Sequence, residues 1–247
     1  MTSIIGLDLE TTGVNTKEDR ITEIGLVEWD MVSNKPITIF NSLVKYADEP
    51  LISEKIEKIT GISQDLLERK GRDPKAVLTR VAIDLSGVDY VVAHNGNQFD
   101  RPLLEAEFDR HGIVIPKVHW IDSMLDVPYP EDMTVRKLGY LACEHGFLNP
   151  FAHRAVFDVL TMLRVCAQYD WEAIIQRSKE ASVVLMAVCQ KPWEDSKPAG
   201  EKDTDKVKEL GFRYNPDRKI WVKTVKESDI DMEVARSHIA LKVISAG

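Results

Sequence analysis

The chain has 247 residues, enough for one well-buried α/β domain of about 150–200 residues and a small appendage. Its composition, 44% apolar and 29% charged, is ordinary for a soluble globular protein. No run approaches the roughly 20 apolar residues of a membrane span, so we expect no membrane partner.

Two features indicate a reduced, cytoplasmic setting. The opening segment, MTSIIGLDLETTG, has neither a basic region nor a cleavage site, so we expect no signal peptide. The cysteines Cys143, Cys166 and Cys189 are odd in number, far apart and without a CxxC pair. This spacing predicts neither a disulfide framework nor a zinc site.

The net charge of −8 argues against a nucleic-acid binder, because phosphates attract lysine and arginine. Two considerations weaken this argument. A site that binds metal ions needs carboxylates, whose charge the cations offset. Charge is also uneven along the chain, since Lys206–Lys226 carries seven basic and two acidic residues, a balance of +5.

The hydrophobic pattern of the first two thirds of the chain predicts strands and helices in a mixed order. Strands are predicted at Ser3–Leu9, Arg20–Asp30, Pro36–Tyr46, Tyr90–Ala93 and Lys117–Ile121. Helices are predicted at Pro50–Ile59, Ser63–Lys70, Pro74–Leu85, Asp100–His111, Thr134–His145 and His153–Tyr169. This order indicates an α/β fold, a mixed sheet flanked by helices.

A domain boundary is predicted near Gln176–Ser182, which divides the chain into residues 1–178 and a small α+β module, residues 179–247. Within the module the pattern predicts a strand, a loop, a short helix, a hairpin and a closing helix. Their ranges are Ser182–Cys189, Pro192–Asp205, Lys206–Leu210, Phe212–Val225 and Ser228–Val243.

Asp8 and Glu10 are the first candidate for chemistry. They lie two residues apart on a predicted strand, so both side chains point to the same face. Such carboxylates repel each other and lose hydration, which hard cations with oxygen ligands, Mg²⁺ or Mn²⁺, offset. A D-x-E pair also occurs by chance, and the alternative is a solvated strand end without a ligand.

Asp100, His153 and Asp158 extend this candidate. Asp100 ends the segment HNGNQFD, directly after a predicted strand, and Asp158 ends the segment HRAVFD. The residues before His153 suggest a loop, so His153 is expected to reach the site from outside while Asp158 reaches it from the helix. The alternative for His153 is an ordinary core or surface histidine.

LDLETTG, HNGNQFD and HRAVFD resemble the three motifs of the DEDDh exonuclease family, which includes polymerase proofreading subunits, exonuclease X and oligoribonuclease-like enzymes. ITGIS, which begins at Ile59, resembles another recurring segment of that family. The resemblance covers about residues 3–170 and rests on the right residues in the right order and contexts. It implies a ribonuclease-H-like fold.

The resemblance further implies hydrolysis of phosphodiester bonds with two Mg²⁺ ions, for which Mn²⁺ can substitute. Asp8, Glu10, Asp100 and Asp158 would hold the ions about 3.5–4 Å apart, one orienting a hydroxide and the other stabilising the leaving 3′ oxygen. His153 would act as general base, since an unperturbed pKa of about 6.5 suits that task.

By the same resemblance, Thr11, Thr12 and Gly13 line the pocket for the terminal nucleotide, and Asn95 and Phe99 contact or wedge the last bases. Phe99 is open to two interpretations, stacking on a base or packing in the core.

Several other acidic residues and histidines are expected to have structural roles. Asp122 and Asp126 are predicted to be a helix cap and part of a solvated face. Glu23 could be an exception, because it lies on the second strand, but its position is left open. Among the remaining histidines, His94 ends a predicted strand and is expected to be structural. The histidines with no partner at metal-binding spacing are His111, His119, His145 and His238.

The segment GFRYNPDRKIWVKTV, Gly211–Val225, resembles a tail segment of exonuclease-X-like proteins. Its aromatic and basic residues suit single-stranded nucleic acid. The possible contacts are Arg213, Tyr214, Lys219, Trp221 and Lys223. The alternative is a small hairpin whose aromatic residues form a core and whose charges are solvated.

Three functions are compatible with these residues. The first is a 3′→5′ exonuclease that releases nucleoside monophosphates from the 3′ end of DNA. The second is an exoribonuclease of the same mechanism, because the motifs do not show whether the nucleotide pocket binds or excludes the 2′-hydroxyl group that distinguishes RNA from DNA. The third is a catalytically silent nucleic-acid-binding subunit. No polymerase-docking or clamp-binding motif is evident, so protein partners remain open.

Overall fold

The computed structural model describes residues 4–47, 52–189, 202–237 and 239–246. The chain divides into two compact units. The first comprises residues 1–127 and 137–178, and the second comprises residues 128–136 and 179–247. Among the described residues, no helix has the length and apolar character needed to cross a bilayer.

The first unit contains five strands and seven helices in its described part. The strands are β1 (Ile4–Thr11), β2 (Ile21–Asp30), β3 (Lys35–Leu43), β4 (Tyr90–Ala93) and β5 (His119–Asp122). The helices are α1 (Glu54–Thr60), α2 (Gln64–Lys70), α3 (Pro74–Ser86), α4 (Asp100–Arg110), α5 (Leu138–Glu144), α6 (Ala155–Cys166) and α7 (Trp171–Ser178).

The five strands form one sheet in the order β3-β2-β1-β4-β5. β1 pairs antiparallel with β2 and parallel with β4, while β3 and β5 extend the sheet on either side. The predicted mixed sheet flanked by helices is confirmed. β1 is therefore a central strand, and its near-continuous burial follows from layers on both faces.

Alternate residues of β1 contact different layers of the unit. Ile5, Leu7 and Leu9 belong to the buried core that includes residues of α3 and α4. The residues between them, Gly6 and Asp8 among them, face the side on which α6 packs. A Cβ atom on Gly6 would lie 2.7 Å from the Val159 side chain of α6. The strand thus separates an apolar layer from the layer that carries α6.

Gly25 of β2 permits a second close approach of α6. It lies opposite Asp8 in the antiparallel register. A Cβ atom at Gly25 would lie 2.6 Å from the backbone of both Ala155 and Val156. Because backbone atoms cannot move aside as a flexible side chain can, the start of α6 sits on β2 only when position 25 is glycine.

The second unit contains a four-stranded antiparallel sheet in the order β7-β8-β6-β9. Its strands are β6 (Ser182–Val188), β7 (Arg213–Asn215), β8 (Ile220–Lys226) and β9 (Ala240–Ala246). Its helices are α8 (Asp203–Glu209), a 3₁₀ turn (Glu227–Asp229) and α9 (Ile230–Ser237). The small core of this unit includes Leu185, Val207, Phe212 and Val225.

The largest differences from the predicted elements of the first unit concern its last three helices. The helix predicted at Thr134–His145 is only Leu138–Glu144, and the one predicted at His153–Tyr169 is only Ala155–Cys166. Helix α7 (Trp171–Ser178) is absent from the sequence prediction. Its buried residues are held by contacts remote in the chain, such as the hydrogen bond of 3.0 Å from the Trp171 indole to Asn34, which local periodicity does not report.

The predicted closing helix Ser228–Val243 is wrong. The helix α9 ends at Ser237, and Ala240–Ala246 is a strand that pairs with β6 at the edge of the sheet. That pairing is long-range, so helical periodicity overestimates the helix. The predicted loop Pro192–Asp205 lies mostly outside the described residues, and its last three residues already belong to α8.

The glycine contacts predict a selective effect of Gly25→Ala. The added methyl group would push α6 away from β2, so we expect the free energy of unfolding to fall by about 1–3 kcal/mol in urea denaturation. Gly139→Ala is the matched control, because a Cβ atom there meets nothing within 4 Å. It should be neutral or stabilise the protein slightly. Equal losses in both variants would contradict the proposed packing.

Candidate active site

Asp8 and Glu10 project from the end of β1 on the side that α6 covers. Glu10 is 9% exposed and lies directly opposite Glu23 of β2, which is fully buried. Three carboxyl groups therefore project from two neighbouring strands into one small volume. The sequence identifies the first two, and the antiparallel register supplies the third.

Asp100 begins α4 and is 2% exposed. Its carboxylate accepts a hydrogen bond of 3.2 Å from the backbone N–H of Leu9, which lies between Asp8 and Glu10. A carboxylate in the first turn of a helix is also favoured by the helix dipole. The start of α4 is thereby tied to the part of β1 that carries the two acidic side chains.

Asp158 lies in the first turn of α6, and the loop before that helix folds back onto it. One carboxylate oxygen accepts a hydrogen bond from the side-chain amide of Asn149, and the other accepts one of 3.0 Å from the backbone N–H of His153. His153 is exposed and has a φ of 62°, a left-handed conformation that non-glycine residues adopt infrequently. Strained backbone of this kind is often found at functional sites.

Glu10, Asp158 and His153 converge in space. One potential ligand atom from each lies within 4.8 Å of the others. His153 therefore reaches the carboxylates from the loop, while Asp158 reaches them from the helix. Carboxylate oxygens of this kind are the ligands that Mg²⁺ and Mn²⁺ prefer, so the donor set fits hard divalent cations.

The carboxyl groups of the site disfavour their own ionisation. Burial, followed by the charges of Asp100 and Glu10, holds the pKa of Asp8 well above its usual range. Burial, followed by the charges of Asp158 and Glu23, raises the pKa of Glu10 to about 8. Burial also raises the pKa of Asp100 to about 7 and increases that of Asp158. A cation among them would relieve this cost.

Glu23 is the exception in this cluster, because it already has a cationic partner. Its carboxylate binds the Arg154 guanidinium at 2.7 and 3.0 Å and accepts the N–H of Ala155 at 3.1 Å. Although burial alone would raise its pKa, the hydrogen bonds from Arg154 and Asn41 hold that pKa below its usual value. Glu23 thus anchors the start of α6, a role that the sequence leaves open.

The turn Thr11–Gly13 follows the carboxylates directly. The Thr12 hydroxyl donates to Asp19 at 2.8 Å and accepts from the backbone N–H of Arg20 at 3.0 Å. The Thr11 hydroxyl bonds the carbonyl of Gly13. Both hydroxyl groups therefore shape the turn, and the turn itself lies at the end of β1, beside Glu10.

The segment after β4 carries Asn95 and Phe99. Asn95 has a φ of 62° and its N–H donates to Asp122 at 3.0 Å. Phe99 is half-buried immediately before Asp100 and packs on the core of the unit. As a residue it is only partly buried, so the structure is compatible with both roles considered for it.

The structural roles expected for Asp122 and Asp126 are wrong. Both are only 1% exposed, so neither lies on a solvated face, and the residues that follow them form turns and bends, so neither caps a helix. The Asp122 carboxylate accepts N–H groups of Asn95, Asn97 and Met124 at 3.0–3.3 Å, and burial raises its pKa to about 6. It holds the loop that leads to Asp100, a tertiary role with no local signature.

The histidines outside the site mostly have ordinary partners. His94 bonds the Ser123 hydroxyl at 2.8 Å, His119 bonds Ser178 at 2.8 Å, and His145 bonds Tyr169 at 2.8 Å. His111 lies 3.5 Å from Glu107. His238 is outside the described residues.

The five candidate contacts of the tail lie in the second unit and differ in availability. Arg213 and Lys219 are exposed. Tyr214, 40% exposed, lies beside Trp221, with ring centroids 5.4 Å apart. Lys223, in contrast, is paired with Glu233 at 2.7–2.8 Å, and its pKa is lowered by burial.

A mixed sheet with carboxylates gathered where α4 and α6 meet its central strand is the architecture of ribonuclease-H-like nucleases. The exonuclease family model RNase_T matches residues 5–166, well over half of the chain. The chain therefore belongs to this exonuclease family, as the sequence motifs predict.

Three relatives illustrate the family. The DNA polymerase III PolC-type of Thermotoga maritima is 32% identical over 163 residues, 63% of this chain and 11% of that protein. The DNA polymerase III subunit epsilon of Treponema pallidum is 31% identical over 176 residues, 70% of this chain and 77% of that subunit. Human three-prime repair exonuclease 1 is 25% identical over 208 residues, 71% of this chain and 66% of that enzyme. The chain thus spans about a ninth of the PolC-type relative.

Among solved structures, the zinc-bound form of E. coli exonuclease I with single-stranded DNA is similar, with a TM-score of 0.65 at 17% identity. The match covers 97% of this chain and 68% of that one. At this identity the likeness establishes a shared fold.

The raised pKa values predict how the metal-free protein responds to pH. A carboxyl group with a higher pKa in the folded chain binds more protons when folded, so its contribution to stability is lost as pH rises through that pKa. For Glu10 this window runs from 4.5 to about 8. We expect the Tm in chelator to fall across the window and Glu10→Gln to reduce the fall. At the upper end, Glu10→Gln should add on the order of 1–3 kcal/mol to the free energy of unfolding.

Thermal unfolding in EDTA at a series of pH values tests this expectation. Glu57→Gln, which removes an exposed carboxylate of α1, is the control and should follow the wild type. Mg²⁺ should raise the Tm more at the alkaline end, where the carboxyl groups are ionised and can bind it. Parallel curves for Glu10→Gln and the wild type would contradict a raised pKa of Glu10 in the folded protein.

Proposed function

We propose that this protein is a metal-dependent 3′→5′ exodeoxyribonuclease that releases nucleoside monophosphates from the 3′ end of DNA. The observation that carries the proposal is the approach of Glu10, Asp158 and His153 to within 4.8 Å of one another. Family membership supports the exonuclease chemistry. The names of relatives, a DNA polymerase subunit and a three-prime repair exonuclease, support DNA and the 3′ end.

The proposed cofactors are two Mg²⁺ ions, with Mn²⁺ as a substitute, held by Asp8, Glu10, Asp100 and Asp158. When bound, such ions supply a nucleophilic hydroxide at neutral pH and stabilise the negative charge of the leaving oxygen. The raised pKa values of these carboxyl groups support the proposal, because burial and neighbouring negative charges disfavour their ionised forms and bound cations would offset that cost. Glu23 is not included, since Arg154 already neutralises it.

His153 is proposed to accept the proton of the attacking water. It is exposed to solvent on the loop, so it can exchange that proton, and its backbone N–H bonds the Asp158 carboxylate at 3.0 Å. Asp158 therefore positions the histidine through its backbone and leaves the imidazole ring for the chemistry.

The turn Thr11–Gly13 and the residues Asn95 and Phe99 are proposed to receive the terminal nucleotide. Because the Thr11 and Thr12 hydroxyl groups are already bonded within the turn, we propose that the turn contacts the nucleotide mainly through its backbone and shape. Phe99, which is only partly buried, would contact a base.

The first test is digestion of a 5′-labelled single-stranded DNA oligonucleotide with Mg²⁺, beside an RNA of the same sequence. We expect a ladder of 3′-shortened DNA that EDTA and Asp8→Asn both abolish. His153→Ala should reduce kcat by roughly 10²–10⁴-fold. Asp109→Asn, which alters an exposed carboxylate of α4, is the control and should match the wild type.

The other outcomes separate the alternatives. Shortening of RNA alone would retain the mechanism and overturn the DNA assignment. Binding without shortening of either strand would make the chain a silent nucleic-acid-binding subunit. Full activity of Asp8→Asn would overturn the proposed site.

We also propose that residues 179–247 form a separate module that grips nucleic acid. Arg213 and Lys219 are exposed and Tyr214 lies beside Trp221, a mixture of charge and aromatic surface that suits single strands. Lys223 is not expected to bind phosphate directly, because it is paired with Glu233. Its role is to hold α9 against the sheet of this unit.

The double substitution Arg213→Gln/Lys219→Gln should weaken binding of single-stranded DNA and flatten its salt dependence. Each lost phosphate contact should reduce the slope of log K against log salt by roughly 0.7. Fluorescence anisotropy at several salt concentrations measures this slope. Lys35→Gln/Lys58→Gln removes two exposed charges of the first unit as a control. An unchanged slope in the Arg213/Lys219 variant would show that the module does not grip the strand.

A further inference from the structure

Two phenylalanines lie exposed on the loop and helix turn that also carry His153 and Asp158. Phe151 is 56% exposed and Phe157 is 37% exposed, and their ring centroids are 4.8 Å apart with an interplanar angle of 51°. Phe151 belongs to the loop before α6 and Phe157 to the first turn of that helix. We name them the Phe151–Phe157 pair, and nothing in the proposed chemistry uses them.

The pair is bonded into the same loop as the reacting groups. The backbone N–H of Phe151 donates to the side-chain oxygen of Asn149 at 3.0 Å, and the amide of the same Asn149 donates to the Asp158 carboxylate. Phe157 immediately precedes Asp158, and His153 lies between the two rings in the chain. A ligand group held on the pair would therefore be held at a fixed place relative to Asp158 and His153.

The charge of the site makes an uncharged contact useful there. A phosphodiester strand is an anion, and the cluster it approaches contains four carboxyl groups in addition to Glu23. Arg154, the guanidinium at the start of α6, is paired with Glu23. An aromatic surface binds the face of a nucleobase without adding charge, and stacking is tolerant of sequence because every base has such a face.

We propose that the Phe151–Phe157 pair is a stacking surface for an unpaired nucleobase next to the scissile phosphodiester. This inference rests on the proposed function and specifies the two residues of that site that contact an unpaired base. Bases inside a duplex are stacked on their neighbours and present only their edges in the grooves, so their faces are not available to the two rings.

The test uses 5′-labelled single-stranded DNA with one abasic nucleotide, placed in turn at each of the last three positions. We expect the wild type to lose about tenfold in kcat/KM at one of these positions, mainly through KM, because stacking contributes binding. Phe151→Ala/Phe157→Ala should lose about tenfold on intact DNA and no further activity on that abasic substrate. With Phe157 unchanged, Phe151→Tyr should retain most of the activity that Phe151→Ala loses, because tyrosine keeps a ring that can stack.

Tyr140→Ala is the matched control, because it truncates an aromatic side chain of α5 that is 41% exposed. It should leave kcat/KM unchanged on every substrate. A double variant that loses the same factor on intact and abasic DNA at all three positions has a structural defect, and that result would overturn the proposal. So would wild-type kinetics in the double variant.

A second readout separates this inference from the proposed function. Fluorescence of 2-aminopurine placed at the last three positions reports stacking in Ca²⁺ or in EDTA, without cleavage. Quenching in the wild type that disappears in Phe151→Ala/Phe157→Ala supports the stacking surface even if no DNA is cut. Cleavage of DNA without any such quenching would leave the nuclease and overturn the stacking surface.

Discussion

The gathering of carboxyl groups beside β1, at a cost from burial and like charge, is the constraint that the rest of the first unit accommodates. β1 and β2 bring Asp8, Glu10 and Glu23 together, and the starts of α4 and α6 add Asp100 and Asp158. Glu23 is neutralised by Arg154 and its pKa is lowered, whereas burial raises the pKa of the other four. A fold that neutralises one carboxylate and leaves four together fits a site completed by cations.

The packing of the rest of the unit overcomes this repulsion. Leu7 and Leu9 point into the apolar core. A rotation of β1 that turned its acidic side chains towards solvent would therefore also expose these two leucines. On the opposite face, Gly6 and Gly25 let α6 approach the strands closely enough to place Asp158 at the cluster. The free energy gained by burying the apolar face of β1 thus offsets the electrostatic cost of the carboxylates on its other face.

The loop before α6 positions both the Asp158–His153 group and the Phe151–Phe157 pair. The Asp158 carboxylate is held by Asn149 and by the backbone of His153, so the loop and the helix act as one piece. The same loop places the Phe151 ring against the Phe157 ring at the surface. The proposed proton acceptor and the proposed base contact would then both depend on this loop and the first turn of α6.

Local signals in the sequence are sufficient for the acidic and histidine candidates, the mixed α/β sheet and the exonuclease family, because strand periodicity and short motifs need no distant partner. The two-residue period of a strand alone places Asp8 and Glu10 on one face. Which groups meet in space depends on the tertiary structure. The β1–β2 register puts Glu23 opposite Glu10, and long-range pairing makes Ala240–Ala246 a strand. Burial makes Asp122, which the sequence suggests as a helix cap or part of a solvated face, the support of the Asn95 loop. These outcomes depend on contacts between residues far apart in the chain, whose energies no local pattern contains.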